Sequence, residues 1–253
     1  MISYRENLRV KSYETDINAN LKIYSFMNYA QEIAGLHADS LGFGYDSLIK
    51  ESVVWVLSRI HVKFIRLPKW GDDISVETWH KGSDRLFGFR DFEVLDNSGE
   101  QMILATSSWL IINTTSRRLQ RLDNIMGEGS LGYNPRNAIK EAAERLVSPA
   151  EMEYTGKRVV AFSDVDINRH TNNAKYIEWA LDWIDKDLVT KMKVTDMFIN
   201  FNAESRLGEE VEFYRAMEVG NGNCGDDRGK CSVFIEGKRE TTSIFQAKLK
   251  YTT

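Results

Sequence analysis

The chain has 253 residues, of which 42% are hydrophobic and 28% charged; it can bury a real core, and the composition excludes a disordered, collagen-like or disulfide-stapled chain. Lys and Arg number 33 against 37 Asp and Glu, a formal charge of −4, which argues against bulk nucleic-acid binding because that affinity comes largely from neutralising phosphates. No run of about 18 uncharged apolar residues occurs, so no membrane span is expected. The stretch Met1 to Val10 lacks a signal peptide's apolar core, so a cytoplasmic location is expected.

In chain order, the first landmark is Asp16-Ile17-Asn18, followed by a helical pattern with Ile23, Phe26, Met27, Ala30 and Ile33 on one face. Strand-like runs rich in β-branched and aromatic residues follow at 54–67 and 72–82, then at 85–95 and 102–112. Residues 126–137 read as a loop by their Gly, Asn and Pro content, and Pro135 to Val147 is predicted to form a helix that Pro149 stops. Asp166-Ile167-Asn168 then repeats the landmark at an offset of 150, with Phe26 matched by Tyr176, Met27 by Ile177, Tyr29 by Trp179 and Ala30 by Ala180. In this second helix Ala174, Ile177, Leu181 and Ile184 recur every three or four residues. Strands are predicted at 194–207, 208–219, 231–236 and 243–251. Gly71-Asp72-Asp73-Ile74 aligns with Gly208-Glu209-Glu210-Val211 at an offset of 137, so the first copy carries 13 extra residues between helix and strands.

Each unit is therefore one helix followed by antiparallel strands, and the helix is apolar over a face too wide for one neighbouring helix to cover. A curved antiparallel sheet wrapped around a central helix meets that demand. The expected organisation is an α+β fold with an N-terminal domain over 1–125, a helix-containing linker over 126–150 and a C-terminal domain over 151–253. Cys224 and Cys231 share a Gly-, Asn- and Asp-rich hairpin loop and, with no second Cys/His pair nearby, are expected to be free thiols rather than zinc ligands.

The densest polar cluster is SDVDINRHTNN, 163–173. In an extended chain Asp164, Asp166, Asn168, His170 and Asn172 would share one face. An imidazole titrates near neutrality, a carboxylate can orient it or act as a base, and an amide can hold a carbonyl or an attacking group. The start of the following helix, near Asn172 to Ala174, offers backbone N–H groups to an oxygen gaining negative charge. Asp and Asn also serve as turn and capping residues, and both recur in the first copy as Asp16 and Asn18. His170 does not recur, since Asn20 occupies its place. Asp164-x-Asp166-x-Asn168 matches the opening of a calcium loop, but Arg169 and Lys175 stand where that loop needs Gly and Glu. No nucleophile elbow, phosphate loop or dinucleotide fingerprint occurs.

The stretch SDVDINRHTNNAKYIEWALD, 163–182, closely resembles the signature of acyl-ACP thioesterases, and ATSSWLIINTTSRRL, 105–119, resembles the strand that ends that family's first domain. The resemblance covers nearly the whole chain. It implies two tandem hotdog domains, each a central helix wrapped by an antiparallel sheet, and release of fatty acid from acyl carrier protein without a metal or cofactor. It assigns Asp166, Asn168 and His170 to the active site, with Glu204 on the strand after the second helix; the first-copy counterpart of Glu204 is Leu67. Plant members carry a Cys beside that Glu, whereas Ser205 stands here. A cysteine mechanism is thus excluded unless Ser205 substitutes; Asp166 and Glu204 are favoured as the carboxylates that attack the thioester or activate water, their division of labour open, with Asn168 and His170 orienting or polarising. The resemblance also implies an apolar acyl tunnel supplied largely by the first half, with Phe26, Met27, Ile33, Phe43 and Trp55 as candidates. A basic patch of Arg117, Arg118 and Arg121 is the candidate docking site for the acidic carrier protein. Two hotdog units can pair within one chain, so a monomer or a homodimer is expected. The competing readings are a hotdog acyl-CoA thioesterase and a non-catalytic module that binds acyl carrier protein.

Overall fold

The computed structural model describes residues 2–126, 133–219 and 229–253. The chain divides into two compact units, Met1–Ala143 and Glu144–Thr253.

The first unit runs β1 (Tyr4–Arg9), a 3-10 turn (Ser12–Glu14), α1 (Ile23–Ser40), α2 (Tyr45–Lys50), β2 (Val53–Phe64), β3 (Asp73–Ser83), β4 (Gly88–Asp96), β5 (Gln101–Asn113), β6 (Leu119–Gln120) and α3 (Leu122–Met126). Its sheet is antiparallel, in the order β1-β3-β4-β5-β2, with the short β6 hydrogen-bonded to β5. The second unit runs β7 (Glu153–Val159), a 3-10 turn (Phe162–Asp164), α4 (Asn173–Asp182), α5 (Lys186–Lys191), β8 (Lys193–Phe201), β9 (Glu210–Val219), β10 (Lys230–Arg239) and β11 (Thr242–Thr252). Its order is β7-β9-β10-β11-β8, which is the same topology. The predicted α+β duplication of one helix and an antiparallel sheet holds, and the predicted strands fall on β2 to β5 and β8 to β11. The first strand of each unit, β1 and β7, is an addition: YRENLR, with alternate residues exposed, and EYTGKRV, with Glu153, Tyr154, Lys157 and Val159 exposed, are polar edge strands that carry too little apolar pattern to be read from sequence.

The repeat extends to individual backbone hydrogen bonds. Val10 N–H donates to Asp72 O and Val160 N–H to Glu209 O, both at 2.9 Å, and Leu21 N–H reaches Pro68 O at 2.7 Å as Thr171 N–H reaches Ser205 O at 2.9 Å. The sequence offsets of 150 and 137 therefore mark equivalent places in space. The additional residues of the first copy lengthen its helix, 18 residues in α1 against 10 in α4, and form the turn into α2. Phe26, Met27, Ala30 and Ile33 of α1 are each 1% exposed, and each large side chain so enclosed contributes about 1.5–3 kcal/mol. In the second unit Tyr176 and Trp179 of α4 pack with Phe213 and Phe245 in an aromatic core, with ring centroids 5.2 to 6.2 Å apart. Gly237 permits this packing, because a Cβ there would lie 2.3 Å from Phe245 Cε1.

The helix predicted from Pro135 to Val147 is absent, and residues 133–152 run without regular secondary structure. The backbone groups a helix would need internally are committed elsewhere. In the first unit Trp79 Nε1–H donates to Arg136 O at 2.7 Å, Lys81 Nζ to Ile139 O at 2.9 Å, and Ala138 N–H donates to Asp91 Oδ2 at 2.7 Å. In the second unit Leu146 packs against Phe198 and Phe234, while Ser148 Oγ donates to Glu236 at 2.8 Å. The helix-like spacing of Ile139, Ala143 and Leu146 reflects burial along this strap. Cys231, at the start of β10, is disulfide-bonded, which corrects the expectation of free thiols; Cys224 lies outside the described residues.

Candidate active site

Asp166 to His170 form a tight turn rather than an extended run. Asp166 N–H donates to His170 O at 3.0 Å, Arg169 N–H to Asp166 O at 2.9 Å, and Val165 bridges Thr171. Arg169 takes the left-handed conformation at φ 64°, as Ala19 does at φ 60° in the first copy. The five alternating polar residues consequently do not share a face. Asp164 is 1% exposed, with its Oδ2 accepting the Ala161 N–H at 2.8 Å and its Oδ1 facing Arg158 at 3.2 Å. Asn168 is exposed, and His170 is half-buried.

The carboxylate of Asp166 accepts the Asn168 N–H at 2.9 Å. In the first copy Asp16 accepts the Asn18 N–H at 2.8 Å and also the Asn20 N–H at 2.9 Å. The same turn thus forms around an Asp in both copies, an Asx-type arrangement that needs no chemistry to explain it. What differs is the residue the turn presents. His170 Nε2 lies 3.0 Å from Glu204 Oε2, with the two side chains 21% and 30% exposed. A carboxylate and an imidazole 34 residues apart are thereby joined at a partly open surface, where the first copy has Asn20 and Leu67.

Glu204 sits on the segment between β8 and β9, held at both ends. Asn202 and Ala203 N–H groups donate to Ile244 O at 2.8 and 3.0 Å. Arg239 Nη1 donates to Glu204 O at 3.2 Å and is also ion-paired with Glu209, whose carboxylate accepts the Arg206 N–H at 2.9 Å. Ser205 is fully buried. Its Oγ contacts Thr171 Oγ1 at 2.7 Å and Tyr176 Oη at 2.9 Å. A hydroxyl so enclosed and committed has no open approach for a substrate carbonyl. Burial raises the Tyr176 phenol above its ordinary value, so it stays protonated.

The start of α4 is less available than the sequence suggests. Asn172 N–H donates to Asp164 O, Lys175 N–H to Asn172 O, and Ala174 N–H to the capping Asn172 Oδ1, all at 2.9 Å. These amides cap the helix and are not free for an oxyanion. Thr171, Tyr176 and Arg239 were not singled out from sequence, although the repeat holds a signal for the first two: Leu21 and Phe26 are their apolar counterparts.

The other predicted residues lie in the first unit. Phe26, Met27 and Ile33 face its core from α1. Phe43 and Trp55 are half-buried against Leu48, Val53, Ile111 and Leu122, and Trp55 Nε1–H donates to Phe43 O at 3.2 Å. Arg117 and Arg118 are exposed in the turn from β5 to β6, and Arg121 precedes α3 and pairs with Asp123 at 3.2 Å. Among the described residues no group of His, Cys, Asp and Glu forms a metal-holding cluster, and no helix is long and apolar enough to cross a membrane.

Comparison with known proteins gives two family matches: residues 2–128 to the acyl-ACP thioesterase N-terminal domain and residues 148–251 to the acyl-ACP thioesterase C-terminal domain. The chain is 28% identical over 235 residues to a chloroplastic oleoyl-acyl carrier protein thioesterase of Coriandrum sativum, covering 86% of this chain and 63% of that one. It is 27% identical over 265 residues to oleoyl-acyl carrier protein thioesterase 1 of Arabidopsis thaliana, also chloroplastic, covering 98% of this chain and 72% of that one. The crystal structure of an acyl-ACP thioesterase from Bacteroides thetaiotaomicron superposes with a TM-score of 0.81 at 24% identity, over 98% of this chain and 97% of that one; this likeness establishes the hotdog fold.

Proposed function

Because the chain belongs to the acyl-ACP thioesterase family, we infer that it hydrolyses the thioester of an acyl carrier protein and releases a free fatty acid. The observation that carries this reading is the 3.0 Å contact between His170 and Glu204 in the second unit, combined with its replacement by Asn20 and Leu67 in the first. A neutral imidazole whose Nε2–H donates to a carboxylate is held in one tautomer, leaving Nδ1 as the acceptor. Nδ1 then takes a proton as water attacks the thioester carbon. The C–S bond breaks as the tetrahedral species collapses, and the carrier's thiolate receives that proton, leaving a fatty acid and a free thiol. Glu204 stabilises the imidazolium in between. Asp166 holds the turn that presents His170, and the exposed Asn168 side chain is the candidate for orienting water or the thioester carbonyl.

The first unit would house the acyl chain, with Phe26, Met27 and Ile33 toward its core and Phe43 and Trp55 near the surface. The exposed Arg117, Arg118 and Arg121 would meet the acidic carrier protein, whose attraction to them weakens with salt. We place the enzyme in the compartment where fatty acids are assembled, the cytoplasm being our reading for this chain, acting as a monomer or homodimer. Hydrolysis of a graded series of acyl-ACPs, with matched acyl-CoAs in parallel, tests the reading. Faster release from acyl-ACP supports it, faster release from acyl-CoA points to the alternative hotdog thioesterase, and binding without release would make the chain a carrier-binding module.

A further inference from the structure

Three buried hydroxyls tie together the segments that carry His170 and Glu204. Thr171 follows His170, Ser205 follows Glu204, and Tyr176 reaches both from α4; they are 5%, 0% and 2% exposed. The Ser205 N–H donates to Tyr176 Oη at 3.0 Å, and Thr171 Oγ1–H donates to Ser205 O at 3.2 Å. The Ser205 hydroxyl also lies 2.7 Å from Thr171 Oγ1 and 2.9 Å from Tyr176 Oη, contacts in which either oxygen can donate. Together these bonds join the Ser205 amide, three hydroxyls and the Ser205 carbonyl in a closed circuit. Every hydroxyl in it has a partner, the condition under which a buried polar network rigidifies its surroundings.

The first copy shows that the fold does not require this circuit. At the equivalent places stand Leu21, Pro68 and Phe26, all buried, and the backbone bond from Leu21 N–H to Pro68 O persists at 2.7 Å. Apolar replacement of a buried hydrogen-bonded set is close to neutral for stability, so folding alone gives no reason to keep three hydroxyls. They occur in the copy that has the imidazole and the carboxylate and are missing from the copy that has neither. We propose that Thr171, Ser205 and Tyr176 are positioning residues, a hydroxyl clasp that fixes the two chain segments so that His170 and Glu204 meet. They act through the pair and touch no substrate. The proposal rests on the reading of that pair as the reacting groups, and it gives the serine in place of the plant cysteine a structural part in catalysis.

The test is Tyr176→Phe, Ser205→Ala and Thr171→Val in the full chain, each compared with wild type for kcat, KM, melting temperature and the imidazole N–H proton resonance of His170. Tyr176→Phe removes one oxygen and installs the residue of the first copy. We expect kcat to fall about 10- to 100-fold in each variant, the scale of a sub-ångström to ångström misplacement of reacting groups, with KM within about twofold. Thr171→Ser, which keeps the hydroxyl, restores kcat. The His170 resonance, present in wild type and lost in Glu204→Gln, is weakened or lost in Thr171→Val. Unchanged kcat across the three variants would reduce the clasp to packing, and a raised KM at constant kcat would make it a substrate contact. Should Ser205→Ala fold poorly, the comparison of Tyr176→Phe with Thr171→Ser carries the test. A wild-type chain that hydrolyses no acyl-ACP overturns the activity reading alone; an unaltered His170 resonance in Thr171→Val overturns the clasp.

Discussion

Replacing Glu204 by Gln keeps the size of the side chain and removes the charge that His170 Nε2 meets at 3.0 Å. Both groups are partly exposed, so the full Coulomb attraction of a dry interior does not apply, and a charge-assisted hydrogen bond of about 1.5–3 kcal/mol is the appropriate scale. The bond tightens when the imidazole gains a proton, so this energy belongs to the transition state and its loss slows kcat by roughly 10- to 150-fold. If the misoriented imidazole also loses its role as base, the loss extends toward about 10⁴-fold. Folding changes little, within about 1 kcal/mol, because the equivalent position in the first copy is Leu67 in the same local backbone. Single-turnover release of carrier thiol from acyl-ACP, with a thermal melt of the same sample, measures both quantities. Turnover of Glu204→Gln within about twofold of wild type would refute the reasoning, because the proposed mechanism stabilises the imidazolium through that carboxylate.

Asp16→Ala and Asp166→Ala remove the same turn-forming acceptor from the two copies, so both should lower stability by about 0.5–1.5 kcal/mol in denaturant titrations. Only Asp166→Ala should also reduce turnover, since only that turn presents His170; equal activity in the two variants would break the link between turn and dyad. Gly237→Ala would set a Cβ 2.3 Å from Phe245 Cε1, and urea unfolding should show a loss of about 1–3 kcal/mol from overpacking. His80 is 5% exposed, and its pKa is pushed down to about 4, first by burial and then by Arg90 and His37. The unfolded state therefore binds the proton more tightly than the folded one between about pH 6.5 and about pH 4, so the stability contributed by neutral His80 is complete above that window and falls with pH through it. The difference between wild type and His80→Gln in unfolding free energy should shrink by up to about 3 kcal/mol across that range; a pH-independent difference would show that His80 titrates normally.

The duplication was legible because backbone-level architecture leaves a local signature. Asp16-Ile17-Asn18 and Asp166-Ile167-Asn168 must both cap the same turn, and the helices after them must both show an apolar stripe. The strands β2 to β5 and β8 to β11 announced themselves through β-branched and aromatic runs. Where burial comes from one-sided or irregular contact, the pattern misled. Residues 135–147 have helical spacing yet run as an unstructured strap, because Trp79, Lys81 and Asp91, far away in sequence, take the backbone groups a helix would use. The run from Asp164 to Asn172 alternates as a strand face would, yet Arg169 at φ 64° folds it into a turn that buries Asp164 and exposes Asn168.

Periodicity and repetition by themselves determined that this protein is two copies of a helix and a sheet, and that the second copy alone has a histidine after its Asp-Ile-Asn turn. Both are properties of residues near one another along the chain, where local backbone geometry and side-chain polarity act. Only the tertiary structure decided that Glu204 meets His170 and that Ser205 is locked between Thr171 and Tyr176. Those contacts join segments 29 to 34 residues apart, and hydrogen bonds depend on distance and direction in space, which a linear pattern does not encode.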